Sequence, residues 1–302
     1  MSHINAIERM PLICSVKEVR LTEQLLETVD TARRTTARRN SGRVFAYRIT
    51  YSSCGHNVVG FIVEPKRGRL PLPCIIWNRG GSRDFGAIQH HQLFGRMAHL
   101  ASLGYIVIAS QYSGNGGSSG VDQMGGEDIH DVLNLQQILR GYKRADANRI
   151  GMYGWSRGGM MAYLALSKVK WIKAAVVGGA PTDQIRAAIF RRGWEKHQKE
   201  MYGGSRRENI KRSVLYWSDK LYKKAPILIM HGTADWRVNP LDSIRLAEQL
   251  YKNKVPFRLI MFEGAEHGLA EFEDEADRLT EQWFAKYLAR AHKLPNLKPH
   301  GK

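Results

Sequence analysis

Residues Gly154-Trp155-Ser156-Arg157-Gly158 set a serine between two glycines, directly after the apolar run Ile150-Gly151-Met152-Tyr153. A strand entering such a pentapeptide must turn sharply into the helix that follows, which pushes the serine Oγ outward where a base can reach it. The flanking residues are glycine because a Cβ would collide across the turn. A serine hydroxyl is a weak nucleophile at neutral pH and needs a neighbour to take its proton. His267, in Glu266-His267-Gly268 behind the apolar run 257–262, is the candidate base. Asp235 lies behind the apolar run 226–230, in His231-Gly232-Thr233-Ala234-Asp235. It is the candidate acid that would fix the imidazole tautomer and stabilise the imidazolium.

Acyl transfer through a serine also needs donors for the oxyanion of the tetrahedral intermediate. The N–H of the residue after the nucleophile, Arg157, is one candidate. The loop Asn78-Arg79-Gly80-Gly81, behind the apolar run 72–77, offers the other from Gly80 or Gly81, and the spacing does not choose between them. All these groups fall on loops past the carboxyl ends of strands, where ligands gather in open α/β sheets. The chain order Ser, Asp, His is that of an α/β-hydrolase and differs from the orders of chymotrypsin and subtilisin.

The elements that must carry these loops follow from periodicity. Strands at 72–78, 104–110, 149–153, 171–178, 226–230 and 257–262 alternate with helices at 84–102, 127–141, 157–168, 240–252 and 271–291. That alternation predicts an α/β fold with a mostly parallel central sheet and helices on both faces. Phe45–Tyr51 and Val58–Glu64 alternate and read as antiparallel edge strands. Residues 1–42 read as a polar, mostly helical lead-in, with helical spacing over Val19–Thr31. The catalytic domain is expected over 43–292, interrupted at 181–224 by a small helical cap, and 293–302 form a basic tail. Trp194, Tyr202 and Trp217 would either wall a pocket or fill the core of the cap. Asp128 and Asp131 open a helix and suggest capping. His231 reads as a structural hydrogen bonder. His90 and His91 are adjacent on a helix and do not converge on one ligand. No metal, cofactor, dinucleotide loop or phosphate loop is expected.

Seven ordered segments resemble the catalytic domain of the prolyl oligopeptidase family of serine hydrolases. They are Val59–Pro65, Asn78–Gly81, Gln111–Ser118, Gly125–Asp128, the serine pentapeptide, His231–Val238 and Glu266–Gly268. The resemblance implies an α/β-hydrolase fold and carries the family's nucleophile, acid and base onto Ser156, Asp235 and His267. It also implies that Arg237, two residues after the acid, binds a substrate backbone carbonyl; an ion pair holding the loop is the competing role. Trp155 and Tyr112 join Arg237 as candidate substrate-binding residues. Two departures bear on specificity: the family's β-propeller has no counterpart here, and Ser113 stands where relatives often carry arginine. The expected activity is cleavage of an amide or ester through an acyl-enzyme, as a peptidase on small peptides or, alternatively, a carboxylesterase on small acyl esters. A basic binding protein on a hydrolase fold is the third reading.

Composition bounds the remaining classes. The chain has 302 residues, 43% of them hydrophobic, enough to bury a full core. No stretch offers the roughly 20 uninterrupted apolar residues of a membrane span. The N-terminus lacks a basic and apolar leader, and Cys14, Cys54 and Cys74 are too scattered for a disulfide framework, so a cytoplasmic setting is expected. Forty-six basic residues against 28 acidic ones give +18, which favours an anionic substrate or surface. No zinc-finger, RRM or base-stacking pattern accompanies that charge, so nucleic acid is not an expected partner. Oligomeric state leaves no mark on the sequence.

Overall fold

The computed structural model describes residues 3–27 and 31–301. The expected helix over Val19–Thr31 therefore lies partly outside the described residues, as does the last residue of the basic tail. The chain divides into two compact units, Met1–Gln123 with Glu127–Ile150, and Met124–Gly126 with Gly151–Lys302.

The first unit opens with α1 (His3–Glu8), β1 (Ile13–Glu18), α2 (Glu23–Glu27) and α3 (Thr31–Ser41). It continues with β2 (Val44–Ser53), β3 (His56–Pro65), β4 (Leu72–Asn78), α4 (His90–Gln92), α5 (Ala98–Ser102) and β5 (Ile106–Ser110). It closes with α6 (Ile129–Leu133), α7 (Leu135–Gly141) and the start of β6 (Ala145–Trp155). Its strand order begins β1-β2-β3-β5-β4, with β1, β2, β3 and β5 paired antiparallel in turn and β4 parallel to β5. Two expectations change here. The lead-in is not only helical, because it donates β1. That strand sits outside β2, so β2 and β3 are not edge strands. Accordingly β3 is buried continuously from Val58 to Pro65 rather than on alternate residues. β1 escapes periodicity because its register breaks between Ile13 and Ser15 and only part of it is covered.

The helix expected from residue 84 starts only at His90. Gly81 and Gly86 take left-handed backbone, and the Arg79 guanidinium donates to the carbonyls of Gly80, Arg83 and Phe85. The Gln111 side chain in turn bonds both backbone groups of Ile88. With its carbonyls held this way, 80–89 folds as a braced loop. A π turn at Leu93–Met97 then carries a break at Gly95 before α5. The helix expected at 127–141 is two helices joined at Asn134. Asp131 does not cap it: its buried carboxylate accepts the Ser113 N–H at 2.7 Å and hydroxyl at 2.8 Å. Asp128 sits at the N-cap position without a capping side-chain bond.

The second unit takes over β6 at Gly151 and adds β7 (Ile172–Gly178), β8 (Ile227–Gly232) and β9 (Phe257–Phe262). β7, β8 and β9 are parallel neighbours in that order. Its helices are α8 (Arg157–Lys168), α9 (Gln184–Phe190), α10 (Trp194–Tyr202), α11 (Arg206–Lys211), α12 (Leu241–Lys252) and α13 (Glu273–Phe284). α8 is buried from Arg157 to Leu166, as its run of Gly, Met, Ala and Leu requires. α9, α10 and α11 fall inside 181–224. Asp183 caps α9 by accepting from Ile185 and Arg186, and Ser205 caps α11 by accepting from Glu208. Trp217 is buried with its indole N–H on the Ile210 carbonyl, and Tyr202 carries the Arg212 guanidinium 3.9 Å above its ring. Both aromatics pack this segment together. No described helix is long and apolar enough to cross a membrane.

Candidate active site

Ser156 stands between β6 and α8 with φ 56° and ψ −122°, a left-handed backbone that costs a serine energy and is held by its surroundings. Its N–H donates to the Gly178 carbonyl at 2.8 Å, which pins the turn to the end of β7. The neighbouring glycines are there for close approach. A Cβ at Gly154 would lie 2.2 Å from the Gly158 carbonyl oxygen, and one at Gly159 would lie 2.5 Å from the Ala180 Cβ. The serine itself is only half buried.

Asp235 and His267 come together from the loops after β8 and β9. The His267 Nδ1–H donates to Asp235 Oδ2 at 2.7 Å. The other oxygen, Oδ1, accepts the N–H groups of Arg237 at 2.8 Å and Val238 at 2.9 Å. His231, fully buried, donates through Nε2 to the same Oδ2 at 3.0 Å, while Ser243 Oγ lies 2.6 Å from its Nδ1. Burial alone would raise the Asp235 pKa, but the hydrogen bonds from His231 and His267 outweigh it and hold the carboxyl well below the usual range. The arrangement is an ionised, immobilised carboxylate that fixes the His267 ring through its Nδ1.

His267 is held from its backbone as well. The Trp155 indole N–H donates to the His267 carbonyl at 2.8 Å, joining the residue before the serine to the loop of the histidine. Room for that indole comes from Gly178, where a Cβ would fall 1.9 Å from the Trp155 ring. At Gly179 a Cβ would sit 3.2 Å from two atoms of the His267 ring. Beyond the histidine, Glu266 accepts the N–H groups of Gly268 and Ala270, closing the turn. Sequence reading placed Trp155 among substrate contacts. Its indole N–H is committed to the loop that carries His267. No local signal reveals this, because the partners are 112 residues apart.

Tyr112 is likewise not a surface contact. It is fully buried, and its hydroxyl donates to the Arg79 carbonyl at 3.0 Å, bracing the Asn78–Gly81 loop of the first unit. In that loop Gly81 has φ 70°, and a Cβ would strike the Phe85 carbonyl oxygen at 2.0 Å. Arg237 is half buried with its guanidinium 4.7 Å from the exposed Trp236 ring. The Arg157 N–H begins α8, where the first-turn amides have no intrahelical acceptor.

Residues 91–291 match the prolyl oligopeptidase family. The uncharacterized peptidase YtmA of Bacillus subtilis (strain 168) is 30% identical over 215 residues, covering 70% of this chain and 81% of that protein. The fold is shared with the acylaminoacyl peptidase of Pyrococcus horikoshii, with a TM-score of 0.75, 21% identity and coverage of 89% of this chain and 46% of that one. It is shared too with a puromycin-hydrolyzing peptidase of Mycobacterium tuberculosis, with a TM-score of 0.68, 24% identity and coverage of 78% and 38%. The chain thus spans less than half the length of either solved structure. It belongs to the prolyl oligopeptidase family and is a serine hydrolase.

Proposed function

We propose that Ser156, His267 and Asp235 are the nucleophile, base and acid of a peptidase that works through an acyl-enzyme. In this scheme Ser156 Oγ attacks the substrate carbonyl carbon while His267 Nε2 takes its proton. The Arg157 N–H holds the oxyanion, and the tetrahedral adduct collapses as His267 returns the proton to the leaving amine. Water, deprotonated by the same imidazole, then cleaves the ester and restores the serine. Asp235 keeps Nδ1 protonated throughout and stabilises the imidazolium. The observation that carries the reading is the 2.7 Å Asp235–His267 hydrogen bond, in a unit whose serine turn is tied to the same histidine through Trp155.

A small peptide is the substrate class we favour, because YtmA of Bacillus subtilis and the puromycin-hydrolyzing protein of Mycobacterium tuberculosis are both named as peptidases. The exposed, unpaired Cys14 and Cys54 suit a reducing compartment such as the cytoplasm. The test is labelling by a fluorophosphonate, comparing the wild type with Ser156→Ala. Labelling should vanish in the variant, and turnover of a peptidyl anilide should fall by about 10⁴-fold or more. Equal labelling of both proteins would remove Ser156 from the reaction. Faster cleavage of p-nitrophenyl acyl esters than of any peptidyl anilide would move the assignment to an esterase.

A further inference from the structure

His231 is a polar residue near the end of β8, after the apolar run Ile227-Leu228-Ile229-Met230, in a strand buried throughout. An imidazole in such a place costs stability unless both ring nitrogens find partners. Nε2 lies 3.0 Å from Asp235 Oδ2 and 3.2 Å from the Val238 carbonyl oxygen. Both of those atoms accept, so Nε2 carries a hydrogen. Nδ1 lies 2.6 Å from the Oγ of Ser243. That serine breaks the pattern of its own helix. Ser243, Leu246 and Leu250 form a buried row of α12 at i, i+3 and i+7. Packing alone calls for an apolar residue there, and a buried hydroxyl needs a partner to offset its lost hydration.

Hydrogens and acceptors along this chain balance in one way. Among the described residues, His231 Nδ1 is the partner of the Ser243 hydroxyl, which bonds no other acceptor. A hydrogen on Nδ1 as well as Nε2 would point at Ser243 Oγ and leave the hydroxyl hydrogen without an acceptor, in a residue only 1% exposed. With Nδ1 bare, the Ser243 O–H donates to it and each donor meets an acceptor. The Asp242 carboxyl pulls the other way, since its charge would favour an imidazolium at His231. The distinction is felt at Asp235. An imidazolium at His231 would pair with the carboxylate and compensate the charge that His267 meets. A neutral ring donates one hydrogen bond and leaves that charge in place.

We propose that Ser243 is a positioning residue: its hydroxyl donates to His231 Nδ1, keeps that ring neutral with its hydrogen on Nε2, and so reserves the Asp235 charge for His267. The consequence for catalysis rests on the reading of Asp235 and His267 as acid and base, whereas the proton positions do not. Ser243 acts at a distance of three hydrogen bonds from the base, through His231 and then Asp235. All three of these partners are buried, so water does not compete for their hydrogen bonds.

The test is ring-nitrogen NMR near neutral pH on protein carrying isotope-labelled histidine, with the His231 signals identified by their loss in His231→Ala. One His231 nitrogen should carry hydrogen and the other, Nδ1, should be bare. Two protonated nitrogens, or a hydrogen on Nδ1 alone, would overturn the proposal. Ser243→Ala should move the resonance of the His267 Nδ1 proton; an unmoved resonance would cut Ser243 off from the base and sink the positioning role. The rate at which a fluorophosphonate labels Ser156 should fall by about tenfold in Ser243→Ala, in line with a buried acceptor left bare. Ser243→Thr, which keeps a hydroxyl, should recover part of the loss. In a His231→Ala background, Ser243→Ala should cost less than about twofold more, because the two residues act through one chain. An equal loss in both backgrounds would mark Ser243 as merely structural. A thermal melt shows whether each variant is folded. The NMR reading needs no turnover, so a folded wild type that fails to label would overturn the hydrolase reading and leave the proton positions standing.

Discussion

Asp235 has no acceptor position to spare, and the hydrogen bonds from His231 and His267 together hold it ionised against its burial. The imidazole of His231 donates to the oxygen that also receives His267, and its own Nδ1 is met by Ser243. In that arrangement His231 is a positioning residue, one hydrogen bond removed from the proposed base. His231→Ala would leave Oδ2 with a single donor in a buried site. Loss of one hydrogen bond to a charged group costs about 1.5–3 kcal/mol, so kcat should drop by roughly 10- to 100-fold. KM should stay near wild type, because His231 is fully buried and bonded to Asp235 and Ser243. His231→Gln, which retains a donor, should recover part of kcat. A rise in KM with unchanged kcat would assign His231 to substrate binding instead.

At the level of elements, the geometry depends on how closely β7 approaches the serine turn. Gly178 ends that strand and Gly179 follows it, and the Trp155 indole occupies the space a Cβ at Gly178 would need. Gly178→Ala should displace the ring, break its bond to the His267 carbonyl and release the loop. Overpacking of this kind costs about 1–3 kcal/mol, read as a lower Tm together with a larger loss of kcat than the stability change alone explains. An unchanged kcat would mean that Trp155 does not govern His267. The serine pentapeptide, the Asp235 and His267 loops and their strands were legible because each is a local pattern, an apolar run meeting a polar turn. The Trp155 clasp, the Tyr112–Arg79 brace and the His231–Ser243 pair were not, because each joins residues whose spacing in sequence carries no period. β1 stayed hidden for a related reason: a short, bulged strand at the sheet margin alternates too poorly to register as one. The helix expected at 84–102 begins late because side chains outside it, Arg79 just upstream and Gln111 well downstream, hold the backbone of 80–89 in a loop.

For the molecule as a whole, the buried carboxylate of Asp242 adds a pH dependence of stability of its own. Asp242, at the start of α12, is 2% exposed and its Oδ1 has no hydrogen-bond partner. Oδ2 has only a long bond, 3.4 Å, from the Thr182 N–H. Burial raises its pKa from 3.8 to about 6; the Thr182 N–H opposes the shift and the nearby Asp183 adds to it. The unfolded chain releases this proton near its ordinary pKa, whereas the folded chain keeps it until about pH 6. Between those values the native state holds more protons, so stability falls as pH rises through the window and the loss is complete above it. A shift of that size corresponds to at most about 3 kcal/mol. An asparagine in this place is neutral at every pH and escapes the loss. Asp242→Asn should therefore melt close to wild type at pH 4 and clearly above it at pH 8. A gap in Tm that is the same at both pH values would show that Asp242 is ionised in the fold already at pH 4, with a partner strong enough to offset its burial.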